Sequence, residues 1–479
     1  MTMGLYKSMT DGERAEWRAR RARAWERLSP EYRTPLQVLG KRLTIGCVAL
    51  EITQRCNLDC TLCYLSENSE KVPDPPIEEI KRRADMIVRD WGPNTSVQIT
   101  GGDPTLRKRE ELVEIVRYCR EIGLLPALFT NGIKATRSLL AELVSVGLTD
   151  VAFHVDVTQQ RKGYQTEADY DEIRKEYIER VRGLPVAVIF NTTVCEANVD
   201  YVPELVRFFR RNADVVGMCS FQLGADTGRG ADRQPPKARL HDIRALIDTA
   251  FEAPLQWDTV LFGHPSCHSI AYTLQVGDGA YTIDLGDDPA LTARMLEELP
   301  ELEMDRTRPV KAALTTAAAV LGKPGLALHG LRWLGRTLRR HGPAVVKHRF
   351  KVHKLSVFIQ NFQDADNLDP ERIKNCSFMV ATHDGTISMC LHNARRDEFI
   401  FVGVDRLNKK VPRRGVPRQA PPRLPAELAG PIAPGGGGLP GYAQMGTPPG
   451  SGASVAVASA HGGSGAPTTV LDVPAHDAE

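Results

Sequence analysis

From about residue 45 the chain alternates short, nearly continuous apolar runs with charged stretches of helical period. The runs are "IGCVALEIT" (45–53), "SVQIT" (96–100), "LPALFT" (125–130), "DVAFHV" (150–155), "VAVIFNTTV" (186–194) and "VVGMCSFQL" (215–223). Runs this short, without polar alternation, predict strands buried on both faces, as in a parallel sheet. Between them, "IEEIKRRADMIVRDW" (77–91), "REELVEIVRYCREIG" (109–123) and "RSLLAELVSVG" (137–147) predict covering helices. Six such units in about 180 residues predict an α/β fold, an open (β/α)6 partial barrel resembling part of a TIM barrel. Chemistry in such a fold gathers on loops at the C-terminal ends of the strands.

The flanks read differently. Residues 1–44 predict a helical extension, with an Arg-rich surface helix over 11–28, and residues 45–262 carry the barrel. Residues 263–404 form a C-terminal region with a basic helical insertion at 310–354 and a β-hairpin at 376–393 turning at "DG". Beyond 405 the composition shifts: residues 411–479 hold 12 Pro and 13 Gly and lack Cys, Trp and Phe, so a disordered tail is expected.

Composition narrows the function classes. The 479 residues are 42% hydrophobic and 25% charged, with a net charge of +2, so no nucleic-acid partner is expected. No apolar run is long enough to span a bilayer, and the N-terminal stretch lacks a signal peptide's apolar core. A cytoplasmic, reducing location is expected, which weighs against reading the ten cysteines as disulfides.

"RCNLDCTLCY" (55–64) places Cys56, Cys60 and Cys63 directly after the first strand. A structural zinc site normally brings four ligands in pairs, and no fourth cysteine follows in this loop. Three thiolates on a four-iron cluster leave one iron without a protein ligand, an open coordination position useful for catalysis. Three incidental reduced cysteines are the plain alternative. The Cys-x3-Cys-x2-Cys spacing followed by Tyr64 resembles the radical S-adenosylmethionine (SAM) superfamily. "TGGDPTLR" (100–107) is similar to that family's Gly-Gly-Glu-Pro motif, with Asp103 in place of Glu, and "LFTNGI" (128–133) and "FHVDV" (153–157) close the third and fourth strands as in the family.

The resemblance implies a [4Fe–4S] cluster on Cys56, Cys60 and Cys63 with SAM on its open iron. It also implies SAM contacts from Tyr64, Gly101, Gly102, Asp103 and Pro104, and ribose contacts from Asp156 and Asn191. Reduced ferredoxin or flavodoxin would be the electron donor. His154 is a candidate for proton work, with a core histidine as the plainer reading. No residue is assigned to acid–base or nucleophilic catalysis, since the cofactors carry the chemistry.

Cys376 and Cys390 resemble the opening half of a SPASM-type auxiliary-cluster motif, and Cys267 in "HPSCHS" is the natural third ligand of an auxiliary [4Fe–4S] cluster facing the barrel mouth. His264 or His268 would be its fourth ligand, or one iron would be left open. "HPSCHSIAY", "IQNFQDADNLD" (359–369) and the hairpin ending "CLHN" resemble a narrower group, related to tetraether lipid synthase and dihydropterin methyltransferase-like proteins. That likeness implies C–H activation at an unactivated carbon, with C–C bond formation or methyl transfer, on a lipid or other apolar substrate. Within 325–354, Leu328, Leu331, Leu334 and Leu338 recur at helical spacing beside Arg332, Arg336, Arg339 and Arg340. This pattern suits either a helix packed on the barrel with a solvated basic face, or one lying peripherally at the inner membrane surface. A SPASM-like peptide maturase and a zinc-stabilised interaction protein are the alternative functions.

Overall fold

The computed structural model describes residues 5–230 and 239–407, except the side chains of 402–407; the expected tail lies outside the described residues from 408 onward. A helix, α1 (Asp11–Arg27), comes first, started by a reciprocal capping box between Thr10 and Glu13. The six apolar runs then form β1 (Cys47–Thr53), β2 (Ser96–Gly101), β3 (Leu125–Thr130), β4 (Asp150–His154), β5 (Ala187–Val194) and β6 (Val216–Leu223). They alternate with α2 (Ile77–Trp91), α3 (Arg109–Glu121), α4 (Arg137–Ser145), α5 (Tyr170–Val181) and α6 (Val202–Arg211). Each strand pairs in parallel with the next, in chain order. Every residue of β1 is buried, which is why its sequence is an apolar run interrupted only by Glu51 before the terminal Thr53. Helix α2 buries Ile80, Ala84, Ile87 and Trp91, one stripe at spacings of four, three and four.

After α7 (Leu240–Asp248) come β7 (His268–Val276), β8 (Tyr281–Asp284), α8 (Pro289–Glu298), α9 (Pro309–Leu321) and α10 (Pro324–Lys347). They are followed by β9 (Val352–Asn361), α11 (Pro370–Lys374), β10 (Phe378–Ala381), β11 (Thr386–Ser388), α12 (Met389–Ala394) and α13 (Arg396–Leu407). Two of these strands enlarge the barrel. β9 adds in parallel to β6, and β10 in parallel to the free edge of β1, with Cys47 opposite Phe378. The parallel run is therefore β10-β1-β2-β3-β4-β5-β6-β9, two strands more than the six units expected. The hairpin of β7 and β8 continues the sheet antiparallel beyond β9.

The two ends of the parallel run meet through side chains. His268 stacks on Phe358 of β9 at 5.5 Å and lies 4.7 Å from Phe378 of β10, and its Nε2 is 2.7 Å from Ser377 Oγ. The C-terminal end of β9 thus meets the N-terminal end of β10, the stagger that a sheared barrel requires. The expected hairpin is β10–β11, tied at its turn by the Thr382 N–H donating to Gly385 O at 2.8 Å; Cys390 falls beyond it, in α12. Segments before and after the barrel share contacts: Arg18 pairs with Glu301 at 2.6 Å, and the Ser29 N–H donates to Asn375 Oδ1 at 2.8 Å.

Candidate functional site

Beyond Thr53 the chain turns into the loop bearing Cys56, Cys60 and Cys63, all free and partly buried. Burial pushes each thiol above its ordinary pKa. Cys60 is raised further by Cys63, Asp156 and Cys56. Cations oppose this effect: Arg161 at Cys60, and Arg229 and Arg396 at Cys63. Crowded, neutral thiols with cations behind them suit a metal cluster, which takes up their negative charge on ligation. Among the described residues no three His, Cys, Asp or Glu side chains stand close enough together to hold a single metal ion.

The glycine pair packs against the strand that leads into this loop. A Cβ on Gly101 would stand 1.9 Å from Thr53 O, and one on Gly102 would stand 2.0 Å from Arg55 O. Only glycine permits this backbone approach, and Gly101 also takes a φ of 129°. The segment is pinned by the Gly102 N–H donating to Thr53 O at 2.9 Å and the Asp103 N–H donating to Arg55 O at 2.8 Å. Tyr64 fixes it from the other side, its hydroxyl donating to Gly101 O at 2.8 Å while Arg396 lies over its ring at 4.9 Å. Pro104 opens a single 3-10 turn capped by Asp103. Three thiols in one loop, beside a side-chain-free backbone shelf, fit a cluster with a ligand on its open iron.

Asp103 departs from the expected SAM contact. It is 1% exposed, and its carboxylate accepts from Thr105 N–H, the Thr130 hydroxyl and Asn131 N–H. Its short side chain thereby ties the end of β2 to the end of β3. Asp156 is wholly buried and likewise spent on the protein, accepting from Thr158 N–H at 3.0 Å and Thr193 N–H at 2.7 Å, with His154 Nε2 at 2.7 Å. What that pair leaves accessible is the imidazole of His154, with about a third of its side chain exposed. Asn191 is buried inside β5, opposite His154 and Ser220, rather than at the strand's end.

Four residues beside the loop escaped the sequence reading. Asn131 Nδ2 donates to Asn57 Oδ1 at 2.7 Å and lies 3.9 Å from Cys56 Sγ. Arg161 donates to Asn131 O at 2.7 Å. Arg229 follows β6, where the backbone of Gly228 presses on that of Cys63 and Tyr64. Arg396, from α13, reaches Glu51 at 2.6 Å and Gln54 at 3.0 Å. Burial pushes the Glu51 carboxyl up, but Arg396, His392 and the Gln54 amide together outweigh it and hold the pKa at about 2. Of the four, only Asn131 sat in a motif already singled out.

Cys267, Cys376 and Cys390 are buried neighbours. Burial and then Cys376 push Cys390 up to about 12, with Cys267 adding to the rise. Burial pushes Cys267 up to about 11, with Arg372 opposing and Cys376 adding. Arg372 Nε donates to Cys267 Sγ at 3.4 Å. Arg27 donates to Cys376 O at 3.1 Å, yet its Nε and other terminal nitrogen are closed off without a hydrogen-bond partner. An anionic cluster fits beside such a cation. Both ring nitrogens of His264 are engaged, by Tyr32 and by Ser266 N–H, whereas Nδ1 of His268 is buried and without a hydrogen-bond partner. The trio lies at the seam between β9 and β10, not at the barrel mouth as expected. Cys376 stands near Cys47, the opposite end of β1 from the first cysteine loop, about 20 Å away by strand rise.

Residues 50–209 match the family model described as the Radical SAM superfamily. The 7,8-dihydro-6-hydroxymethylpterin dimethyltransferase of Methanocaldococcus jannaschii is 25% identical over 72% of this chain and 76% of its own length. A PqqA peptide cyclase of Bradyrhizobium diazoefficiens is 26% identical over 43% of this chain and 54% of its own. The chain thus spans about three quarters of the first relative and about half of the second. Among solved structures, Streptococcus suis SuiB bound to the precursor peptide SuiA covers 43% of this chain and 46% of its own, at 19% identity and a TM-score of 0.34. The first relative agrees with the dihydropterin methyltransferase-like side of the sequence resemblance; the tetraether lipid synthase side rests on the motifs alone. Proteins of the superfamily work with a [4Fe–4S] cluster and SAM, and the relatives named are enzymes. The matched residues hold most of β1, all of β2 to β5 and the Cys56–Cys63 loop, and this part of the chain is a radical SAM domain.

Proposed function

We propose that the chain is a radical SAM enzyme that functionalises an unactivated carbon of a lipid or other apolar substrate. When bound, the reduced cluster and SAM supply one-electron cleavage to methionine and a 5′-deoxyadenosyl radical, which takes a hydrogen atom from the substrate. Cys56, Cys60 and Cys63 would hold the cluster, and Gly101 and Gly102 would leave their backbone open to its ligand. Tyr64, Asp103 and Asn131 act on position rather than chemistry: each ties the glycine shelf or the cysteine loop to a neighbouring strand end. Cys267, Cys376 and Cys390 would hold an auxiliary cluster, and the buried, unpartnered Nδ1 of His268, next in the chain to Cys267, would be an available fourth donor. Reduced ferredoxin or flavodoxin delivers the electron, and the site of action is cytoplasmic, peripheral at the inner membrane surface.

The observation that carries this reading is the placement of three free, half-buried cysteines in the loop after β1, whose leading residues Thr53 and Arg55 are closely approached by the backbone of Gly101 and Gly102. The experiment is anaerobic reconstitution followed by SAM and dithionite. The native chain should release 5′-deoxyadenosine, and replacing Cys56, Cys60 and Cys63 together by Ala should abolish it; undiminished product sinks the assignment. A peptide-modifying maturase is the second reading, favoured by the PqqA peptide cyclase relatives. Hydrogen isotope transfer into 5′-deoxyadenosine from a deuterated lipid, or instead from a deuterated peptide, decides between them.

A further inference from the structure

Helix α10 is amphipathic in the opposite sense to a helix packed on a core. Its inward face is polar: Trp333 Nε1 donates to Asp287 Oδ1 at 2.7 Å, Arg336 pairs with Asp288 at 2.6 Å, and His341 Nδ1 meets the Tyr281 hydroxyl at 2.8 Å. Leu326 is its only buried leucine, while Leu328, Leu331, Leu334 and Leu338 face outward. Helix α9 buries no residue and exposes Val310, Leu314 and Leu321 along one stripe. Among the described residues, nine of the eleven large apolar side chains left exposed fall between Val310 and Phe350, each 43% to 73% accessible. The helix does pack on the protein, but by its polar face, and the leucine stripe is left outward.

Charge says what covers this surface. Residues 309–354 contain ten Lys and Arg and no Asp or Glu, in a chain whose net charge is only +2. On the α10 wheel, Arg332 and Arg339 flank the leucines on the exposed side. Two such hairpins would repel each other, which disfavours a second copy. A protein groove would ask for aromatic anchors within the stripe, but Trp333, the one Phe, Tyr or Trp on α9 and α10, is turned inward to Asp287. A leucine stripe bordered lengthwise by guanidinium groups is the arrangement of a helix lying in a lipid headgroup layer. The chain reverses just after α10 at Arg349 and Phe350, both with left-handed φ of 55° and 59°, leaving Phe350 projecting from the same region. Among the described residues no helix is long and apolar enough to cross a membrane.

We propose that the α9–α10 hairpin docks on an anionic phospholipid surface, its leucines entering the headgroup–acyl boundary while its arginines meet phosphate. This deepens the apolar-substrate reading by naming the surface from which a lipid would be reached, and rests on that reading for its biological purpose only. The test is sedimentation of the full, reconstituted chain with phosphatidylglycerol vesicles and with phosphatidylcholine vesicles. Binding is expected to phosphatidylglycerol, to weaken with salt, and to be slight with phosphatidylcholine. Leu331→Glu with Leu338→Glu should abolish it. Replacing Arg332, Arg339 and Arg340 by Gln should weaken it on the order of a hundredfold, about fivefold for each cation. These side chains are exposed, so circular dichroism and iron content should not change. No binding to phosphatidylglycerol, equal binding by both variants, or a native dimer that the leucine variant dissolves would overturn the proposal. SAM cleavage in solution reports separately on the enzyme reading, because its failure leaves the vesicle result standing.

Discussion

Replacing Gly102 by Ala should empty the first cysteine loop of iron without touching a ligand. The new Cβ would stand 2.0 Å from Arg55 O and 2.4 Å from Arg55 C, where ordinary contact begins near 3.4 Å. Both atoms are backbone, so the strain cannot be relieved by a side-chain rotation, and roughly 1.4 Å of relative movement is required. Arg55 immediately precedes Cys56, and metal–ligand distances tolerate only about 0.2 Å. Overpacking costs about 1–3 kcal/mol. Weakening the two backbone bonds that join Gly102 to Thr53 and Asp103 to Arg55 adds about 1 kcal/mol each. The assay is iron per chain and visible absorption after anaerobic reconstitution, with a thermal melt. Gly217→Ala is the control, because its Cβ would find its nearest atom, Val188 O, at an unstrained 3.7 Å. The Gly102 variant should lose most of its iron and melt early while the control matches the native chain. Full iron and a native melt for Gly102→Ala would refute the argument that this glycine shelf positions the loop.

Replacing Cys267, Cys376 and Cys390 by Ala should halve the iron content, and an unchanged ratio would remove the auxiliary site. Arg396→Gln leaves Glu51 buried without its cation and should cost about 3–5 kcal/mol, read as a lowered melting temperature at neutral pH; a native melt would show that the pair is not a clamp. In the native chain Glu51 titrates near 2 against an ordinary 4.5, so its stabilisation is complete above pH 4.5 and lost only as pH falls toward 2. The depression amounts to about 3 kcal/mol, and in the Arg396 variant acid sensitivity should move upward, because burial alone raises the carboxyl. A chain ending after Leu407 should keep its iron, whereas one ending before Arg396 should lose it; iron loss from the longer truncate would place a needed contact beyond 407.

The sequence by itself determined the elements whose signal is local. β3 matches its predicted run residue for residue, and the other five strands agree to within two residues, because a strand buried on both faces must be a continuous apolar run. The three-cysteine loop and the glycine pair were legible for the same reason: spacing along the chain is spacing in space over a few residues. Tertiary structure alone decided which distant segments complete the barrel. β10 pairs with β1 across more than 300 residues, and β9 with β6 across more than 130, and neither carries a mark of its partner in its own sequence. Direction was equally hidden. Asp103 and Asp156 occupy the predicted positions, but their carboxylates turn to backbone N–H groups that only folding brings near. The leucines of α10 show the same limit from outside: a period of 3.6 residues reveals a stripe, and only the packing of its neighbours reveals that the stripe faces away from the core.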